Sequence, residues 1–272
     1  MNIEFIHAYL NLEDYIQEEY QNQDTWKRIM VDPFWSIISQ WAPFPEEHKM
    51  PMHYLDKSEA IRQLEILKNV DWNKVMESFD MICQALPKDD EDTMYVAIYP
   101  SNTYMSEGLY GTGVWGNIIL NINAINDNFE QWIPFVFAHE YHHNVWGNYW
   151  YCIRNGEGMQ GNFLENIIIE GLADAFAESI FPGMNPSWHH GVRREEEEAV
   201  WDKIKSVAES CLPIEEVQKY IFGCEELGIP QNAGYYFGIK IVRAYMKKYQ
   251  IEDMNELLKI PVRDIYVGGM KG

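Results

Sequence analysis

Residues 135–143 read Phe135-Val136-Phe137-Ala138-His139-Glu140-Tyr141-His142-His143, and residues 163–181 read FLENIIIEGLADAFAESIF. The first stretch contains H-E-x-x-H. On an α-helix His139 and His143 stand one turn apart on one face, so both imidazoles reach a single ion. Glu140 lies beside them, where a carboxylate takes a proton from a metal-activated water. Trp132, Phe135, Val136 and Trp146 extend that face as bulky apolar positions. Pro134 is expected in the first turn of a helix over 131–147, where proline is tolerated. In a chain with eight histidines the motif can arise by chance, so a third ligand is needed to give it weight.

The metzincin pattern places Gly three residues, and His six residues, beyond the second motif histidine. Trp146 and Tyr149 occupy those positions, which excludes that class. The alternative is a carboxylate on a following helix. Glu170 follows Ile167-Ile168-Ile169 in an unusually apolar run, where a buried charge needs a partner. A divalent cation is such a partner. His139, His143 and Glu170 then make a His2Glu set with one position open for water, the donor set of a catalytic zinc, at one zinc per chain. Asp174, one turn beyond Glu170, suits a carboxylate that accepts the second ring N–H of a ligating histidine. Glu165 and Glu178 read as ordinary solvated residues. A surface-charge reading of Glu170 and Asp174 is the competing one.

Outward from these helices, the chain reads as α+β. A short strand is expected at Ile3–His7, helical periodicity over 11–42 and 57–86, a strand at Tyr95–Tyr99 ended by Pro100, and a second strand over 113–122. Lys88–Asp92 reads as a solvated charged turn. Beyond residue 131 the pattern is helical, with helices expected at 131–147, 162–181, 193–210, 213–222 and 232–249. The fold class is therefore a predominantly helical α+β arrangement, with a small sheet in the first half and an all-helical second lobe. The expected division is residues 1–147, carrying the sheet and the H-E-x-x-H helix, and residues 148–272, carrying the third ligand.

Of 272 residues, 47% are hydrophobic and 23% charged, the proportions of a globular chain. Acids outnumber bases 42 to 21, for a formal charge of -21. Duplex nucleic acid and anionic membranes select for Lys and Arg, so neither is expected as a partner. No stretch of about 18 apolar residues occurs, and the N-terminus lacks the features of a secretory signal. The four cysteines form no C-x-x-C pair. A cytoplasmic, reduced protein is the expectation; the oligomeric state is left open.

HEYHH followed by IIIEGLADAF resembles the gluzincin arrangement, H-E-x-x-H then E-x-x-x-D. More narrowly the chain resembles the YjaZ-like family of predicted zinc-dependent proteases. GTGVWGNIILNI before the metal helix and GYYFGIKIVRAYMKKY near the end resemble further landmarks of that family. The resemblance implies a zincin-like fold with zinc at a cleft between lobes. The spacing from His143 to Glu170 is longer than in compact gluzincins, and Asn155–Gly161 is expected to absorb it. Gly234-Tyr235-Tyr236-Phe237-Gly238 resembles the family's G-Y-x-x-G, which makes Tyr235 the first candidate to stabilise an oxyanion and Tyr236 the second, against a plain packing role. His189 and His190 follow as paired loop histidines, expected exposed. Zincins bind substrate along a sheet edge. Gly113, Val114 and Trp115 are the candidate edge, with an ordinary bulged strand as the alternative. The expected activity is peptide-bond hydrolysis by a zinc-activated water, with Glu140 as general base and a peptide or protein as substrate. Hydrolysis of a non-peptide amide or ester, or a non-catalytic binding role on the same scaffold, are the alternatives.

Overall fold

The computed structural model describes residues 2–38, 54–88, 92–114 and 116–270. The chain separates into two compact units, residues 1–144 and 145–272. The expected charged turn at 88–92 and the end of the 11–42 helical stretch lie largely outside the described residues, as does Trp115.

The first unit is built on a four-stranded sheet: β1 (Asn2–Ile6), β2 (Thr93–Pro100), β3 (Leu109–Val114) and β4 (Asn117–Ile122), in the order β1-β2-β4-β3. β1, β2 and β4 run parallel, and β3 is antiparallel to β4. Parallel neighbours need a long crossover. Here β1 reaches β2 through α1 (Leu12–Gln17), α2 (Gln23–Trp26), a π-helical segment Lys27–Val31, α3 (Asp32–Ile38), α4 (Lys57–Lys68) and α5 (Trp72–Ala85). A reciprocal capping box between Asp56 and Glu59 starts α4, and Asp71 caps α5.

β4 is buried along its whole length and β2 nearly so, as expected of central strands covered on both faces. Buried Gln63 ties α4 to this sheet. Its amide donates to the Ser101 carbonyl at 2.7 Å, and its oxygen accepts from Ala124 N at 3.2 Å. Tyr15, Trp26 and Tyr99 pack edge to face beneath it, with the Tyr99 hydroxyl donating to the Met30 carbonyl.

The expected single strand over 113–122 is instead the end of a hairpin. Residues 109–112, which lie ahead of the expected strand, join Gly113 and Val114 in β3 and pair with β4 from Leu109↔Ile122 to Val114↔Asn117. Two glycines in LYGTGV suppress the local strand signal, and pairing with the buried β4 overrides it. β2 also extends through Pro100, which loses only one ladder donor at the strand's last position.

After the hairpin comes α6 (Phe129–Gly147), two residues longer at its start than expected. Pro134 therefore lies inside the helix and not in its first turn. It removes one intrahelical hydrogen bond, which the burial of the surrounding residues offsets. Residues 135–142 are all buried, so α6 is covered all round. Phe137 stacks on Phe79 of α5 with ring centroids 3.6 Å apart, and the Tyr141 hydroxyl donates to the Leu86 carbonyl at 2.8 Å.

The second unit is helical, as expected: α7 (Phe163–Ile180), α8 (Glu197–Val207), α9 (Ile214–Ile221), α10 (Ala233–Tyr249), α11 (Met254–Leu258) and α12 (Val262–Met270). α8 is shorter than the 193–210 expected, because Arg193–Glu196 is a turn closed by their own ion pair. Between Gly147 and α7 the chain makes a π-helical segment, Asn148–Ile153, anchored by the Trp150 indole N–H on the Leu258 carbonyl at 3.0 Å. The following loop takes left-handed conformations at Asn155, Gly156, Gly158 and Gly161. These turns take up the long spacing before α7, where glycine is the least strained residue.

α7 is buried from Phe163 to Ala177 except at Asn166, Ile169 and Glu170. It packs on α10 at a glycine crossing. A Cβ on Gly171 would stand 2.8 Å from Ile239 N and closer still to the Gly238 carbonyl. Phe163, Ile167, Ile204, Val217, Ile221 and Phe237 fill the core beside this crossing. Among the described residues no helix is long and apolar enough to cross a membrane.

Candidate metal centre

α6 is well formed through the H-E-x-x-H stretch, so His139 and His143 share one face. Their Nε2 atoms are 3.0 Å apart and the rings meet edge to face. Two nitrogens on one tetrahedral zinc, each about 2.0–2.1 Å from it, stand about 3.3 Å apart, so the pair fits a shared ion with little movement. Among the described residues, His139, His143 and Glu170 are the group whose ligand atoms could hold a metal, all within 4.8 Å of one another. Two imidazoles and one carboxylate are a donor set suited to zinc and leave a tetrahedral position for water. His142 is fully buried and does not belong to this group.

Glu140 is only 8% exposed, next to the first ligand candidate. Its carboxyl lies over β3. A Cβ built on Gly111 would come 2.7 Å from Glu140 Oε1 and 2.8 Å from Cδ, and closer still to Cγ. A Cβ on Gly113 would meet Oε2 at an ordinary 3.5 Å. One turn on, the Asn144 amide donates to the Glu140 carbonyl at 3.2 Å. Of the candidate edge residues, Gly113 is exposed and the Val114 side chain is buried. Gly111 carries no mark in the sequence that separates it from other loop glycines, and only the β3–β4 pairing reveals it.

On α7, Glu170 is half-buried and Asp174 completely buried. The Trp188 indole N–H donates to both Asp174 oxygens, at 3.1 and 3.3 Å. His189 Nε2 stands 2.9 Å from Asp174 Oδ2. His189 Nδ1 is 3.4 Å from Glu178, which Arg243 of α10 holds in a two-pronged ion pair. This corrects two expectations: His189 is buried and not an exposed loop histidine, and Glu178 is a paired residue and not a freely solvated one. Glu165 is also corrected. It is 6% exposed, and its carboxylate accepts the Gly161 N–H at 2.8 Å and the Gln160 N–H, next to the Asn162 cap of α7. The signal was local: an acid three residues after Asn, at the start of a helix.

Residues 71–267, from the start of α5 into α12, match the model of the family described as Predicted Zn-dependent protease (DUF2268). The chain belongs to this family. It is also 27% identical over 271 residues to Uncharacterized protein YjfC of Bacillus subtilis (strain 168), covering 86% of this chain and 87% of that protein. No solved structure matches the chain. The family description names zinc and proteolysis as a prediction, and the imidazole–carboxylate group accords with the zinc.

In this member of the DUF2268 family, the tyrosines that open α10 differ in their surroundings. Tyr236 donates its hydroxyl to Glu197 at 2.7 Å, and burial followed by this bond pushes its pKa up to about 12. The Tyr235 ring is half-buried against Trp188 and Phe222, with centroids at 6.4 and 6.0 Å. His190 is exposed.

Proposed function

We propose that this chain is a zinc-dependent metallopeptidase of gluzincin type, with one zinc held by His139, His143 and Glu170 and a peptide or protein as substrate. The observation that carries the reading is the gathering of these three donors, with Glu140 buried in the adjoining helical position. When bound, zinc would supply Lewis-acid polarisation of a carbonyl and lower the pKa of water. Glu140 accepts the proton of the attacking water as its oxygen bonds to the carbonyl carbon. As the C–N bond breaks, the same carboxyl returns that proton to the leaving amine. Asp174 orients a ligating histidine through its ring N–H. The Tyr235 hydroxyl donates to the developing oxyanion; its neighbour Tyr236 is already committed to Glu197.

β3 ends the sheet order, so its outer edge can pair with an extended substrate main chain at Gly113 and Val114; Trp115, the third residue of the candidate edge, lies outside the described residues. The four cysteines are free, two of them exposed, which supports a reducing, cytoplasmic setting. Nothing in the charge balance favours nucleic acid or membrane as a partner.

The test is Glu140→Gln, compared with wild type at equal zinc content on a peptide library. The amide cannot accept a proton, so hydrolysis should fall by about 10²–10⁴-fold or more, with zinc retained. Equal rates would overturn the reading and leave a binding role on the same scaffold.

A further inference from the structure

We propose that Gly111 of β3 is a positioning residue for Glu140: the missing side chain at 111 forms the notch in which the carboxyl of the base is held. The inference rests on the reading of Glu140 as general base and goes beyond it by naming the wall that places it. Three observations combine. The three atoms nearest a Cβ at position 111 are Cγ, Oε1 and Cδ of Glu140. The backbone of Gly111 lies outside the left-handed region, so space and not conformation calls for glycine there. Neither wall can retreat. Gly111 pairs with Leu120 of fully buried β4, and the stacked Phe137 together with the Tyr141 hydroxyl bond fixes α6 on either side of Glu140.

A methyl at 111 is therefore accommodated by the one part that turns, the Glu140 side chain, which leaves its place. Position 113 lies on the same face of β3, two residues on, but meets only Oε2 at an ordinary contact distance. Gly113 lines the notch without defining it. Gly111→Ala should separate metal binding from hydrolysis. The two histidines are untouched, while the carboxyl that receives the proton is displaced by the order of an ångström.

The experiment is a double-mutant cycle read by thermal unfolding, with kinetics beside it. Gly111→Ala alone should lower the melting temperature by roughly 3–10 °C, the range for overpacking in a chain of this size. In a Glu140→Ala background the same substitution should cost less than about 2 °C, because the atoms it meets are gone. Gly113→Ala should shift the melting temperature by less than about 2 °C. With zinc at wild-type content, Gly111→Ala should lower kcat by about 10²-fold and leave KM within about twofold, as expected of a misplaced base. Equal destabilisation in both backgrounds, or an unchanged kcat, would overturn the proposal. If Gly111→Ala does not fold, recovery of folding by Glu140→Ala supports it, and a double variant that also fails to fold refutes it. A wild-type chain that hydrolyses nothing would remove the reading of Glu140 as base, whereas the melting cycle would still decide whether position 111 is shaped by that side chain.

Discussion

Gly171→Ala tests the helix crossing on which the third ligand candidate depends. The added Cβ would lie 2.8 Å from Ile239 N and nearer to the carbon and oxygen of Gly238, all backbone atoms of α10. Carbon contacts settle at about 3.5–4.0 Å, so α7 must move away by roughly 1 Å or more. No flexible side chain can yield in its place. Overpacking costs about 1–3 kcal/mol where side chains relax. Here backbone meets backbone, and about 3 kcal/mol or more is expected, roughly 6–12 °C in melting temperature. Gly171 follows Glu170 directly, so zinc affinity should fall together with stability. The assay is urea unfolding of the zinc-free protein, with zinc affinity measured by competition against a chelator. Gly147→Ala in α6 is the control. Its Cβ would meet only Tyr151 at 4.0 Å, and a helical Gly→Ala change there should be neutral or stabilise by about 0.5–1 kcal/mol. A loss below about 0.5 kcal/mol for Gly171→Ala would refute the close crossing.

Trp188→Phe removes the N–H that both oxygens of buried Asp174 accept. It should cost about 1.5–3 kcal/mol from that bond alone in urea unfolding, and a change under about 0.5 kcal/mol would contradict the contact. The cysteines should label in order of exposure at pH 8: Cys152 and Cys211 first, and Cys83 last because burial pushes its thiol pKa up to about 12. Mass spectrometry showing Cys83 modified as fast as Cys152 would contradict its burial.

The parts of this molecule that were legible in the sequence are those set by periodicity and by strict spacing. α6, α7 and α10 announce themselves through long apolar patterns, and the H-E-x-x-H spacing fixes a shared face for His139 and His143 once a helix forms. Glu170 stands out in the sequence because a carboxylate after three isoleucines needs a counter-charge, and in the structure its carboxylate falls in one group with His139 and His143. What stayed hidden was decided by contacts distant in sequence. β3 has two glycines and weak strand propensity, and it exists because β4 offers a buried partner strand. The role of Gly111 follows from that pairing and from a side chain 29 residues later. His189 read as a loop residue because nothing local shows that Asp174 and Glu178 stand beside it. Pro134 falls in a first turn only if the helix starts at 131; it starts two residues earlier, at Phe129, directly after Asn128, a residue type favoured at an N-cap.

The most direct test of the account is metal analysis of the purified chain after equilibration with zinc and removal of the excess, with His143→Ala treated in parallel. One zinc per wild-type chain and a large loss in the variant are the result expected from a site built on His139, His143 and Glu170. Wild-type protein without zinc, or a full equivalent retained by His143→Ala, would contradict it.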